Sequence, residues 1–195
     1  MSDRRRLQFF ATSVAAVVAA ACGGCGGDIR DSRELAKPQA ASDTVSDAAA
    51  AVLSFRLTDA AGLQEVLAEH RGKVVLVDFW ATWCGPCVEQ FPHTVALAAK
   101  FRERGLAVVS VSMDNPSAEP QVRAFLEQHR AQFVNLLSSY SSPVTATKAF
   151  GLPGPVPCYR IYDRDGRLRH EFIVDPRADQ QFTTADIDAA VEEIL

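Results

Sequence analysis

The stretch Val74-Val75-Leu76-Val77-Asp78-Phe79-Trp80-Ala81-Thr82-Trp83-Cys84-Gly85-Pro86-Cys87 decides the fold of this chain. Its first seven residues are apolar on both faces except for one carboxylate, the pattern of a central strand covered on both sides. Two cysteines follow at once, and beyond them Val88, Phe91, Val95 and Ala98 recur at helical spacing. A buried strand therefore gives way to a helix that carries two thiols one turn apart. Cys84, at the helix start, lies beside unpaired backbone N–H groups and the positive end of the helix dipole, both of which favour its thiolate. Cys87, one turn deeper, is less open to solvent. This asymmetry suits disulfide exchange, with Cys84 attacking a partner disulfide and Cys87 resolving the mixed disulfide. Pro86 fits because an early helical position has no N–H bond to lose.

Spacing alone also matches half of a zinc site or an inert structural pair. A closed zinc site needs a second pair of ligands, and His70, His93, His129 and His170 are scattered. His93 would point about 120° away from Cys87 on a helix. Asp78 sharpens the redox reading, being the only ionisable residue in 74–80. Period-two geometry sets it on one face with Val74, Leu76 and Trp80. Burial there raises its pKa and makes it a proton acceptor near the resolving thiol; a strand-end carboxylate that finds water or an amide is the simpler alternative.

The segment 77–87 resembles the active-site segment of thioredoxins. Over roughly 55–195 the chain is most similar to membrane-associated extracytoplasmic thioredoxins of the TlpA/ResA type. The resemblance implies an α/β thioredoxin fold: a central mixed β-sheet flanked by helices, with the helix-strand insertion of that type. It implies a nucleophilic Cys84, a resolving Cys87 and Asp78 in the buried acid position. It further implies a cis-proline loop facing the cysteines, matched by Val156-Pro157 before the strand-like 158–162. Such a proline leaves the preceding backbone free to pair with a substrate strand. Trp83, Gly85, Pro86, Val156 and Pro157 form the expected substrate-binding set. Trp83 either packs against a docking partner or shields the disulfide.

Three positions depart from the family. Gln90 stands where the tethered members usually carry Glu, with Glu89 on a different helical face. Cys158 stands where Thr commonly follows the cis-proline, and reads as a small buried apolar group or as a third thiol near the site. Asp78 is the cytoplasmic-type acid where many tethered members have Asn.

Length and composition frame these readings. The chain has 195 residues, room for one domain with appendages, and 48% of them are hydrophobic, enough for a core. Arg4-Arg5-Arg6, an uncharged Ala- and Val-rich stretch from Leu7, and Ala19-Ala20-Ala21-Cys22 read as a signal peptide over 1–21. The site resembles a lipoprotein cleavage site, which would make Cys22 the lipidated first residue; plain cleavage nearby is the alternative. Residues 22–54 read as a flexible tether with a reach of about 30 Å, and 55–195 as the thioredoxin-like domain. Cys25 forms a second CxxC with Cys22 in a Gly-rich neighbourhood that does nothing to tune a thiol. The formal charge is −4, and the leader's three Arg and one Asp leave −6 for the rest, which argues against nucleic acid.

Within the domain, helices are expected over 63–70, 85–104, 120–130, 144–150 and 184–195, and strands over 74–80, 106–113, 133–137, 157–162 and 168–174. Pro92 is expected to kink the second helix. Leu168, His170, Phe172 and Val174 share a face. The expected function is a disulfide reductase acting on exported proteins through the Cys84-Cys87 pair, without cofactor or metal and recharged by a membrane electron donor. It would work at the periplasmic or extracytoplasmic face of a bacterial membrane, held there by its lipid anchor. The alternative is a copper-binding metallochaperone, although copper carriers on this fold usually space the cysteines by three residues and supply a His. A peroxidase would need a Pro-Thr-Cys loop that this chain lacks.

Overall fold

The computed structural model describes residues 53–175 and 177–195. The signal peptide, most of the tether, Cys22 and Cys25 lie outside the described residues. In chain order the elements are β1 (Ser54–Thr58), α1 (Ala60–Glu69), β2 (Val74–Trp80), α2 (Gly85–Phe101), β3 (Leu106–Ser112), α3 (Glu119–Gln128), β4 (Val134–Ser138), α4 (Pro143–Ala149), β5 (Cys158–Tyr162), β6 (Leu168–Ile173) and α5 (Thr184–Ile194). They build one six-stranded sheet in the order β1-β4-β3-β2-β5-β6. The strands from β1 to β2 run parallel, and β5 and β6 add antiparallel to β2 and to each other. The expected fold class is therefore observed. The expected insertion is the α3–β4 unit, whose strand sits between β1 and β3.

β2 is buried along its whole length, as its unbroken apolar run requires. Its alternating side chains feed two layers. Val74 and Leu76 pack with Leu97 and Phe101 of α2 and with Ile187 and Val191 of α5. Trp80, on the same face, meets Phe91 of α2 at 4.6 Å and Phe125 of α3 at 4.7 Å between ring centroids. On the opposite face, Val75, Val77 and Phe79 join the cluster that holds Leu63, Val66 and Leu67 of α1 and Ala146 of α4. Local signals set the helix ends. Asp59, Ser142 and Thr183 cap α1, α4 and α5 through side-chain oxygens, and Asp186 completes a capping box. Gly105 ends the turn after α2 with φ 97°, a left-handed conformation that glycine adopts without Cβ strain.

Four details correct the sequence reading. Ser54, counted with the tether, opens β1, a strand the sequence pattern did not reveal. β1 is an edge strand with most of its side chains exposed, so no buried face marks it. The buried stripe of α2 is Cys87, Phe91, Thr94, Leu97 and Phe101, while Val88, Val95 and Ala98 are half-buried. The helix buries the side that carries Cys87, and Pro92 lies inside it. Leu168 is 47% exposed at the start of β6, because that outer strand is only partly covered.

Candidate redox site

The dithiol hangs on the end of β2. After Trp80 the chain makes a short turn and enters α2, with Cys84 as the N-cap residue. Cys84 and Cys87 form a disulfide, their Cα atoms 5.3 Å apart. The backbone N–H of Cys87 donates to Cys84 Sγ at 3.3 Å, so the sulfur occupies the place of a capping oxygen and receives one of the helix's orphan N–H groups. Such a donor stabilises a thiolate at Cys84 once the disulfide opens. Cys84 is 7% exposed and Cys87 1%, which is the predicted asymmetry in access. A Cβ at Gly85 would meet nothing within 4 Å, so the approach over the first turn beside Cys84 is open. Pro86 is exposed in that turn, where its missing N–H costs no bond.

The Val156-Pro157 bond is cis, and the Val156 carbonyl oxygen lies 3.7 Å from Cys84 Sγ. In the dithiol state a Cys84 S–H can donate to that carbonyl. Trp83 is 57% exposed, which favours its docking role over shielding. It shares an apolar groove of about 390 Å³ with Met113, Val144, Pro155 and Val156, and the only charged side chain there is Lys148. The structure thus gathers Trp83, Cys84, Gly85, Pro86, Cys87, Val156 and Pro157 where the central strand β2 ends and its neighbour β5 begins.

Asp78 sits deeper. It is 1% exposed, and its Oδ2 accepts the Thr94 hydroxyl at 2.7 Å while Oδ1 has no protein partner. Burial pushes its carboxyl up from the ordinary 3.8 to about 7, and the Thr94 bond offsets only part of that rise. The side chain that answers Asp78 is therefore Thr94, two turns along α2 from Cys87, and no hydrogen bond joins the carboxylate to either cysteine. Tyr159, opposite Asp78 in the β2–β5 register, donates its hydroxyl to Gln90 Oε1 at 3.2 Å. Gln90, where the family has Glu, thus acts as an acceptor in a half-buried contact. Cys158 is fully buried opposite Phe79, and burial pushes its thiol up to about 12, so it is the packed apolar group of the two alternatives. Of the histidines, His93 turns to α5, where its Nε2 lies 2.9 Å from Asp188.

Thr94, Met113, Val144 and Asp114 were not singled out from the sequence. The first three look like ordinary helix or strand residues there. Asp114 looks like part of an Asp-Asn-Pro turn. The available signal for Asp114 was a carboxylate directly after a buried strand, and that is a weak one.

A redox dithiol at the N-terminus of a helix that follows a central strand, faced by a cis-proline loop on this sheet, defines a thioredoxin-like thiol-disulfide oxidoreductase. The chain belongs to the Redoxin family, whose model matches residues 44–191. The thiol-disulfide oxidoreductase ResA of Bacillus cereus is 29% identical over 129 residues, covering 65% of this chain and 70% of that protein. A crystal structure from Chlorobium tepidum, described as a candidate thiol:disulfide interchange protein DsbE, is 30% identical with a TM-score of 0.51, covering 66% of this chain and 82% of that one. The thioredoxin domain of a Bacteroides vulgatus thiol-disulfide oxidoreductase, 21% identical over 65% of this chain and 82% of its own, has the same fold at a TM-score of 0.52.

Proposed function

We propose that this chain is an exported disulfide reductase that acts on other extracytoplasmic proteins, with Cys84 as nucleophile and Cys87 as resolving thiol. In the first step the Cys84 thiolate attacks a client disulfide, forming a Cys84–client bond and releasing one client thiol. In the second, the Cys87 thiolate attacks Cys84 Sγ, closing the Cys84–Cys87 bond and releasing the second client thiol. Two electrons pass from the dithiol to the client. A dithiol donor at the membrane then reduces the pair for the next turnover.

The observation that carries this reading is the placement of Cys84 Sγ. It receives a helix-start N–H and faces the carbonyl of Val156, which with Trp83 lines the neighbouring apolar groove. A client strand can pair with the Val156 backbone while its flanking side chains enter the groove. Gly85 presents no bulk against it. Asp78 serves as the proton acceptor for the buried side of the pair, because its carboxyl titrates near neutrality. The Arg-rich, Ala-rich leader supports export. Residues 1–21 act as the signal peptide, Cys22 carries the lipid, and the residues from there to the start of β1 form the tether. Among the described residues no helix is long and apolar enough to cross a membrane. The copper-carrier alternative has less behind it, because two residues separate the cysteines where such carriers usually have three.

Insulin reduction tests the proposal. Cys84→Ala abolishes it, and Cys87→Ala accumulates mixed disulfides through Cys84. Full activity in Cys84→Ala would remove the proposal.

A further inference from the structure

Between Trp80 and the start of α2 the chain has no regular structure, yet this turn presents both the exposed indole of Trp83 and Cys84. One side chain fastens it. Asp114, 2% exposed, follows the end of β3, and its carboxylate takes three donors: the Thr82 hydroxyl on Oδ1 at 2.6 Å, and the Thr82 N–H and Ser112 hydroxyl on Oδ2 at 2.9 and 2.7 Å. The Asp114 N–H donates back to Ser112 Oγ at 3.2 Å, and the neighbouring Met113 N–H donates to the Trp80 carbonyl at 2.7 Å. Thr82 and Trp83 make no other hydrogen bond to another element among the described residues. The residue after Thr82 is Trp83 and the residue before Asp114 is Met113, and both line the groove beside the disulfide. The clamp therefore joins two groove walls at adjacent backbone positions. Thr82 also lies two residues from the nucleophile.

We propose that Asp114 is a positioning residue for the exchange reaction, holding Thr82 so that Trp83 and Met113 stand as fixed walls of the groove leading to Cys84. A carboxylate accepts all three as charge-assisted donors; an amide keeps an oxygen for the two on Oδ2, and the Thr82 hydroxyl must turn round to accept a weaker neutral bond. A held wall matters most for a client that fills the groove and least for a small disulfide that touches only the sulfur, since positioning acts on the part of the substrate that is gripped.

This inference rests on the exchange reading above, and the test separates the two. Rate constants for reduction of insulin and of cystamine, a small disulfide, are measured with the reduced full-length chain and with Asp114→Asn. The expected result is a fall of about tenfold in the insulin-to-cystamine ratio, the size expected for losing one charge-assisted hydrogen bond. Thr82→Val removes only the hydroxyl donor, keeps the backbone bond, and lowers the same ratio about threefold, the smaller loss of a hydrogen bond to one side chain. An unchanged ratio in both variants overturns the proposal, as does a parallel fall of both rates, which would make Asp114 a stabilising residue only. A wild-type chain that reduces neither disulfide overturns the exchange reading instead.

Discussion

Replacing Asp78 with Asn should stabilise the protein at alkaline pH and do so progressively less as pH falls. The carboxyl is held near 7 in the folded chain against an ordinary 3.8. Below about pH 4 the group is protonated in both the folded and unfolded states, and its burial costs nothing that depends on pH. As pH rises from 4 to 7 the unfolded chain releases the proton and the folded chain keeps it, so folding stability falls throughout that window. Above 7 both states are ionised and the penalty is complete. A gap of about three pH units corresponds to roughly 4 kcal/mol, since each unit is worth about 1.4 kcal/mol. Asparagine keeps an oxygen for the Thr94 hydroxyl and carries no charge, so it should recover about 2 to 4 kcal/mol of that penalty. Urea unfolding of the oxidised protein between pH 4 and 9 measures this directly. The wild-type and variant curves should converge near pH 4 and separate until about pH 7, then run parallel. A difference that stays constant across the range would refute the reasoning, because Asp78 would then not titrate where its burial places it.

Further outcomes follow from the same geometry. Phe91→Ala opens a void between Trp80, at 4.6 Å between centroids, and Phe125, at 5.0 Å, and should cost about 3 to 5 kcal/mol in denaturant unfolding. Cys158 is buried with its thiol pushed up to about 12, so iodoacetamide at pH 8 should leave it unmodified in the native chain, and Cys158→Ala should reduce insulin as the wild type does.

Much of the fold was legible because β2 and its dithiol carry strong, local signals. An apolar run buried on both faces, a CxxC and a following amphipathic stretch specify strand, turn and helix without help from distant residues. The α3–β4 insertion and the cis bond at Pro157 came from the family resemblance, since the proline-rich loop around Pro153 and Pro155 is equally compatible with trans. β1 was not legible. Ser54, Arg56 and Leu57 are exposed, Phe55 is half-buried and only Thr58 is buried, so the pattern that announces a buried strand is missing. The α2 stripe was read correctly at Phe91 and one residue off at Val88, Val95 and Ala98, in part because Thr94, polar in sequence, is 1% exposed and answers a carboxylate sixteen residues away. Asp114 was hidden for a similar reason: its partner Thr82 lies thirty-two residues away. Polar contacts between distant segments leave no periodic trace, so the dithiol could be read from the sequence while the residues that hold it in place could not.

The central claim is the inequality of the two sulfurs. Fully reduced protein is treated with iodoacetamide at a series of pH values, and the modified cysteine is located by mass spectrometry. Cys84 should be alkylated first, with a midpoint below the 8.5 or so of an ordinary cysteine, while Cys87 stays unmodified over the same interval. Equal labelling of both, with the midpoint of an ordinary thiol, would contradict the account.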